Sequence, residues 1–229
     1  MNKQPLLLLH GALGSAAQFT ELKAALYNSD YDVHAINFSG HGGKPFNRFS
    51  MDQFVREVAL YIGTKKLEQV NVLGYSMGGY IALEVARQLP HFFHQIVTLA
   101  TKFDWSPDVA AKETQRLLPE QIEAKVPQFA AQLEKRHAPV NWKMVVRKTA
   151  LLLMDLGEHP LLTADRLQEI SVPVSICRGS EDRMVSAEES QWAADLVSKG
   201  QYVELAGVPH PLGKVPTETL LQLVKEHLS

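Results

Sequence analysis

Short apolar runs alternate with longer amphipathic stretches along most of this chain. The runs cover residues 6–9, 33–38, 70–74, 95–100, 172–177 and 202–205, each bounded by turn-forming residues. Runs of that length have the pattern of strands buried on both faces of a parallel sheet. Between them, residues 16–27, 51–65, 78–89, 187–199 and 217–228 carry a helical pattern. Strand and helix in alternation predict an α/β fold: a mostly parallel open sheet of about six strands with helices on both faces. No internal repeat or low-complexity tract interrupts it.

One stretch breaks the alternation. Residues 103–162 hold no strand pattern, only helical segments punctuated by Pro107, Pro119, Pro127, Pro139 and Pro160. The division expected is therefore a core of residues 1–102 and 163–229 with a helical lid inserted at 103–162. Phe103, Trp105, Phe129, Trp142, Met144, Leu151, Leu152, Leu153 and Met154 are among its large apolar residues. Their residue types fit either the lining of a pocket or the packing of the lid onto the sheet.

Composition narrows the class. At 229 residues and 45% hydrophobic, the chain has enough apolar material for a proper core, and disorder is not expected. A net charge of −2 is too balanced to build the field that nucleic acid or an anionic membrane surface demands. Cys177 is the sole cysteine, which excludes an intramolecular disulfide scaffold and a cysteine-built zinc site. It sits in an apolar run, where a thiol is usually inert packing. The four leucines at 6–9 are too short for a signal-peptide core, and no apolar run approaches bilayer length. The expectation is a soluble, cytoplasmic protein, monomeric or homodimeric, acting on a small molecule.

The candidate chemistry begins at Gly74-Tyr75-Ser76-Met77-Gly78-Gly79. An apolar run ends at Gly74 and a helical pattern starts just after Gly79, so the G-x-S-x-G motif falls on a sharp strand-to-helix turn. Such a turn thrusts a serine into the open beside the helix N-terminus, whose free N–H groups and positive dipole end lie next to the reacting centre. No Lys follows the glycines as a phosphate-binding P-loop would require. A serine hydroxyl needs a base, and the base a carboxylate to orient it. Asp182 lies in the loop leaving run 172–177 and His210 just beyond run 202–205, in the chain order serine, acid, histidine. Glu181, Asp104 and Asp155 are rival acids. The loop His10-Gly11-Ala12-Leu13-Gly14 follows the first run and is placed to aim an N–H at a developing oxyanion. Ala12 is the first choice for that donor, with Leu13 as the fallback, and Met77 N–H is the second donor. His10 reads as a brace for the loop. His91 and His94 are three apart but lack supporting carboxylates, so no metal site is expected.

These motifs, together with Asn37-Phe38-Ser39-Gly40-His41-Gly42-Gly43-Lys44, Gly179-Ser180-Glu181-Asp182-Arg183-Met184-Val185 and Pro209-His210-Pro211, resemble the α/β-hydrolase superfamily. The likeness is to its small lidded group of esterases, thioesterases and C–C bond hydrolases, and it runs over nearly the whole chain. It implies acyl-enzyme chemistry with Ser76, Asp182 and His210 and no cofactor. The substrate expected is an ester or thioester with a small, apolar group, held among Leu13, Tyr75, Phe103, Trp105 and Trp142. The near balance of charge across 102–160, nine Lys/Arg against eight Asp/Glu, gives no reason to expect a strongly charged substrate.

Three departures stand out. Members usually open with two further antiparallel strands, yet only nine residues precede His10. That leaves run 33–38 as a candidate edge for pairing with another subunit. Asn37 and Lys44 replace the usual Asp and Ser of their loop, so that loop's hydrogen bonds are open. Menaquinone-pathway lyases of the family share G-Y-S-M-G-G but carry Arg where this chain has Tyr80, which weakens a lyase or synthase reading. That reading and a non-catalytic ligand receptor are the alternatives to a hydrolase.

Overall fold

The computed structural model describes residues 3–228. Met1, Asn2 and Ser229, which the expected core ranges include, lie outside the described residues. Six strands, β1 (Gln4–Leu9), β2 (Tyr31–Ile36), β3 (Val70–Tyr75), β4 (Phe93–Leu99), β5 (Val174–Gly179) and β6 (Gly200–Leu205), form one sheet in the order β2-β1-β3-β4-β5-β6. Each neighbouring pair is parallel. The chain winds outward from β1 to β2, then crosses to β3 on the other side. Strand order therefore switches at β1 and β3, and the crevice outside their carboxyl ends is where open α/β sheets place ligands.

Side-chain alternation along the strands explains why both faces are covered. Leu7, Leu9, Val70, Val72, Ile96 and Ile176 pack on one face with α2 (Met51–Lys65), α3 (Met77–Gln88) and α9 (Ala187–Leu196). Leu6, Leu8, Leu73, Val97, Leu99 and Cys177 point the other way, against α1 (Thr20–Ala25) and α10 (Thr217–His227). The helix expected over 16–27 is split: a 3-10 turn at Ala16–Phe19 precedes α1.

Between β4 and β5 lie α4 (Pro107–Thr114), α5 (Pro119–Lys125), α6 (Pro127–His137), α7 (Trp142–Glu158) and α8 (Ala164–Gln168). Three of the prolines that punctuate this segment head helices, where the missing N–H is no loss. Two anchors fix the segment. Leu152 and Leu156 of α7 join the main core. Leu133, Trp142, Val145 and Val146 instead form a separate cluster with Leu13, from the loop after β1. Glu189, whose other oxygen closes the capping box of α9, accepts the N–H groups of Phe103 and Asp104 at 3.0 and 2.8 Å and ties down the chain leaving β4. No helix among the described residues is long and apolar enough to cross a membrane.

Candidate active site

Ser76 stands between the last residue of β3 and the first of α3 at φ 50°, ψ −118°, a left-handed conformation that costs a non-glycine residue of order 1–3 kcal/mol. The surroundings over-determine it. Ser76 N–H donates to the Leu99 carbonyl at 2.8 Å, and Thr101 Oγ1 donates to the Ser76 carbonyl at 2.9 Å, so the end of β4 grips both sides of the elbow. A Cβ at Gly78 would run into the Leu9 and His10 carbonyls, which is why the turn can be this tight only with glycine there.

His210 and Asp182 come from the loops after β6 and β5. His210 Nδ1 meets Asp182 Oδ2 at 2.8 Å, and the carboxylate side chain is fully buried. Asp182 Oδ1 accepts the N–H groups of Met184 and Val185 at 2.8 and 3.0 Å. Burial works against the charged carboxylate, but the imidazole and the two backbone donors outweigh it and hold the Asp182 pKa below its ordinary value. The rival acids lie elsewhere: Asp104 and Glu181 are exposed, and Asp155 pairs with His159. Ser76 and His210 line one cavity. No hydrogen bond joins Ser76 Oγ to the ring in this structure; such bonds commonly tighten only when substrate is bound.

Ala12 and Met77 line the same cavity as Ser76. Met77 is the first residue of α3, so its N–H is one of the helix's orphan donors. His10 is buried, donating from Nδ1 to the Gly11 carbonyl at 2.8 Å and accepting Phe38 N–H at Nε2 at 3.3 Å. Burial drives its pKa down to about 4, so it is a neutral brace and not an acid or base at neutral pH. The 37–44 loop replaces its expected bonds with others. Asn37 Oδ1 accepts Ala16 N–H at 2.7 Å, and Lys44 Nζ bonds both the Asn37 carbonyl at 3.1 Å and Glu57 at 2.9 Å.

The cavity has two connected arms that share Ala12, Ser76, Glu113, Leu153, Met184 and His210. The smaller, about 90 Å³, is walled by Met51, Tyr80, Trp105, Leu152 and Leu156. The larger, about 710 Å³, includes Leu13, Tyr75, Phe129, Leu153 and Arg136. Of the expected substrate-binding residues, Trp105 therefore lies in the small arm, and Leu13 and Tyr75 in the large one. Tyr75 also donates its hydroxyl to the His210 carbonyl at 2.7 Å and steadies that loop. Two expectations are corrected. Phe103 is 3% exposed and packs into the main core, off the cavity. Trp142 is 6% exposed, buried among Leu133 and Val146, and reaches the surface at a separate hollow on the far side of α6. Both are aromatic residues on the inward side of their segment, where core packing claims them.

The sequence reading missed the grip of α6 on the loop after β1. Arg136 Nη1 and His137 Nε2 both donate to the Leu13 carbonyl, at 2.7 and 3.2 Å, one residue beyond Ala12. His137 Nδ1 also accepts Gly42 N–H at 3.1 Å, joining three segments. The only local signal was a basic pair at a helix end. Cys177 is buried and its pKa is raised to about 12, so it takes no part.

A family model described as alpha/beta hydrolase fold matches residues 4–150. Over 209 residues the chain is 23% identical to 3-oxoadipate enol-lactonase 2 of Acinetobacter baylyi, covering 85% of this chain and 78% of that protein. A second likeness is shorter: 28% identity over 102 residues to the protein called "Probable alcohol acetyltransferase" of Wickerhamomyces anomalus, 42% of this chain and 29% of that one. The match thus spans less than a third of that relative's length. The crystal structure of the enol-lactonase from Burkholderia xenovorans LB400 superposes with a TM-score of 0.77 at 17% identity, over 99% of this chain and 93% of that one.

Proposed function

Because this chain belongs to the α/β-hydrolase fold family, we propose that it is a serine hydrolase cleaving an ester or thioester through an acyl-enzyme on Ser76. The observation that carries the reading is the Asp182–His210 hydrogen bond at 2.8 Å, set on the wall of the cavity where Ser76 stands in its strained elbow. In this mechanism His210 takes the proton as Ser76 Oγ attacks the carbonyl carbon. Asp182 fixes the Nδ1–H tautomer and stabilises the imidazolium. The oxyanion sits between the N–H groups of Ala12 and Met77, each worth about 3 kcal/mol of barrier in a dry site. The tetrahedral adduct expels the alcohol or thiol, which recovers the proton from His210; water then releases the acid by the same steps.

The small arm fits an apolar group of a few carbons, and the helical segment over the cavity serves as its lid. A cyclic ester is within the same chemistry, as in the lactonases to which the chain is similar. Tyr80 supports hydrolysis over a lyase role: its hydroxyl is engaged by Leu162 N–H at 2.9 Å, and it lends the cavity no cation.

Incubation with a fluorophosphonate and a panel of p-nitrophenyl esters tests the proposal. The expected result is labelling at Ser76, turnover of short acyl chains, and loss of both in Ser76→Ala. Labelling without turnover across the panel would favour the lyase or receptor alternatives, and full activity in Ser76→Ala would sink the nucleophile.

A further inference from the structure

The large arm carries a polar feature that ester cleavage does not use. Arg136 lines it half-buried, and among the described residues its guanidinium has no carboxylate partner. One of its five donors goes to the Leu13 carbonyl. Burial pulls its pKa below the ordinary guanidinium value, the sign of a cation held away from water without a counter-charge. A second observation is independent of it. Thr149 of α7 lines the same arm, is 1% exposed, and its Oγ1 has no hydrogen-bond partner among the described residues. Buried hydroxyls nearly always find a partner, so an orphan on a cavity wall marks a place for a ligand atom.

The other charges on this arm are Arg116, Lys214 and Glu113, so cations exceed anions three to one when Arg136 is counted. Between these polar groups the walls are aliphatic and aromatic: Leu117, Ile122, Val126, Phe129 and Leu153. The balance over the whole 102–160 segment hid this, because most of its charges face solvent.

Resting on the serine-hydrolase reading, we propose that the large arm is an anion-recognition subsite: the substrate is an ester bearing a carboxylate, received by Arg136 and Thr149 across an apolar spacer. The planar guanidinium matches a carboxylate edge-on. Glu113, which lines both arms, selects for a monoanion over a dianionic phosphate.

The test compares esters that differ only in that charge. Monomethyl adipate against methyl hexanoate places the carboxylate on the acyl side; 4-acetoxybutyrate against butyl acetate places it on the alcohol side. The charged member of at least one pair should show a kcat/KM about tenfold or more above its neutral twin, expressed mainly in KM. Arg136→Gln should abolish the preference, Arg136→Lys should keep part of it, and Thr149→Val should reduce it without touching the Leu13 contact. The readout is the ratio within a pair, because losing the grip on Leu13 slows both members alike. No preference in the wild type, or an unchanged ratio in Arg136→Gln, overturns the proposal. If no ester is turned over, the nucleophile reading fails on its own. Titration calorimetry with hexanoate and adipate then decides the subsite: binding that Arg136→Gln removes supports it, and absent or unaltered binding refutes it.

Discussion

Asp182 divides its two oxygens between two tasks, and an amide at this position removes only one of them. Oδ2 orients the His210 ring while Oδ1 accepts two backbone N–H groups of its own loop. In Asp182→Asn the loop bonds can survive on the remaining carbonyl oxygen, but the amide nitrogen then faces Nδ1 and selects the wrong tautomer. The expected outcome in an ester assay is a fall in kcat of about 10³–10⁴-fold with the fold intact by circular dichroism. That Ser76, Asp182 and His210 come to one region was legible in the sequence, because each follows a strand and the order serine, acid, histidine is constrained. Arg136 was not, since its acceptor lies 123 residues away and nothing local records the contact. Phe103 and Trp142 misled for the converse reason: residue type suggests a pocket, but which side of the helix or loop faces inward is decided by packing partners distant in sequence.

The elbow shows how a turn between two elements is built by exclusion. In Gly78→Ala the new Cβ would meet the Leu9 and His10 carbonyls, both backbone atoms of β1 and its following loop, which cannot yield cheaply. Gly63, near the end of α2, meets nothing within 4 Å. Gly78→Ala should therefore lose roughly 1–3 kcal/mol in urea denaturation and disturb the start of the loop after β1. Gly63→Ala should gain about 0.5–1 kcal/mol through helix propensity and a less flexible unfolded chain. Equal effects at the two sites would contradict this account. The regular elements themselves were readable. Each of the six apolar runs became a strand, because a parallel sheet covered on both faces needs continuous apolar sequence. The segment between β4 and β5 was readable only as helical. Its helices are short and proline-headed, so periodicity shows that they exist but not which face meets the sheet.

At the scale of the molecule, three buried histidines tie the sheet, the 37–44 loop and α6 together, and all three must stay neutral. His41 lies with its ring centroid 5.1 Å from that of His10 and 5.7 Å from that of His137. His10 and His137 each use one ring nitrogen as an acceptor, for Phe38 N–H and Gly42 N–H, which a protonated ring cannot do. Burial above all lowers both to about 4 from an ordinary value of 6.5, and His41 is shifted the same way. Between pH 6.5 and about 4 the unfolded chain therefore binds protons that the folded chain refuses. Stability should be fully retained above 6.5, fall as pH drops through that window, and cease to fall from this cause below about 4. A shift of that size corresponds to about 3 kcal/mol for His10 alone. His137→Gln keeps a side chain able to accept from Gly42 and donate to Leu13 while removing one titrating ring. In urea melts across the window, its stability should decline less steeply than that of the wild type, by about 1.4 kcal/mol per pH unit where the unfolded ring is charged and the folded one is not. Parallel slopes for the two proteins would mean that His137 is already free to protonate in the folded state, and that its bonds to Leu13 and Gly42 do not hold the loop after β1 in place.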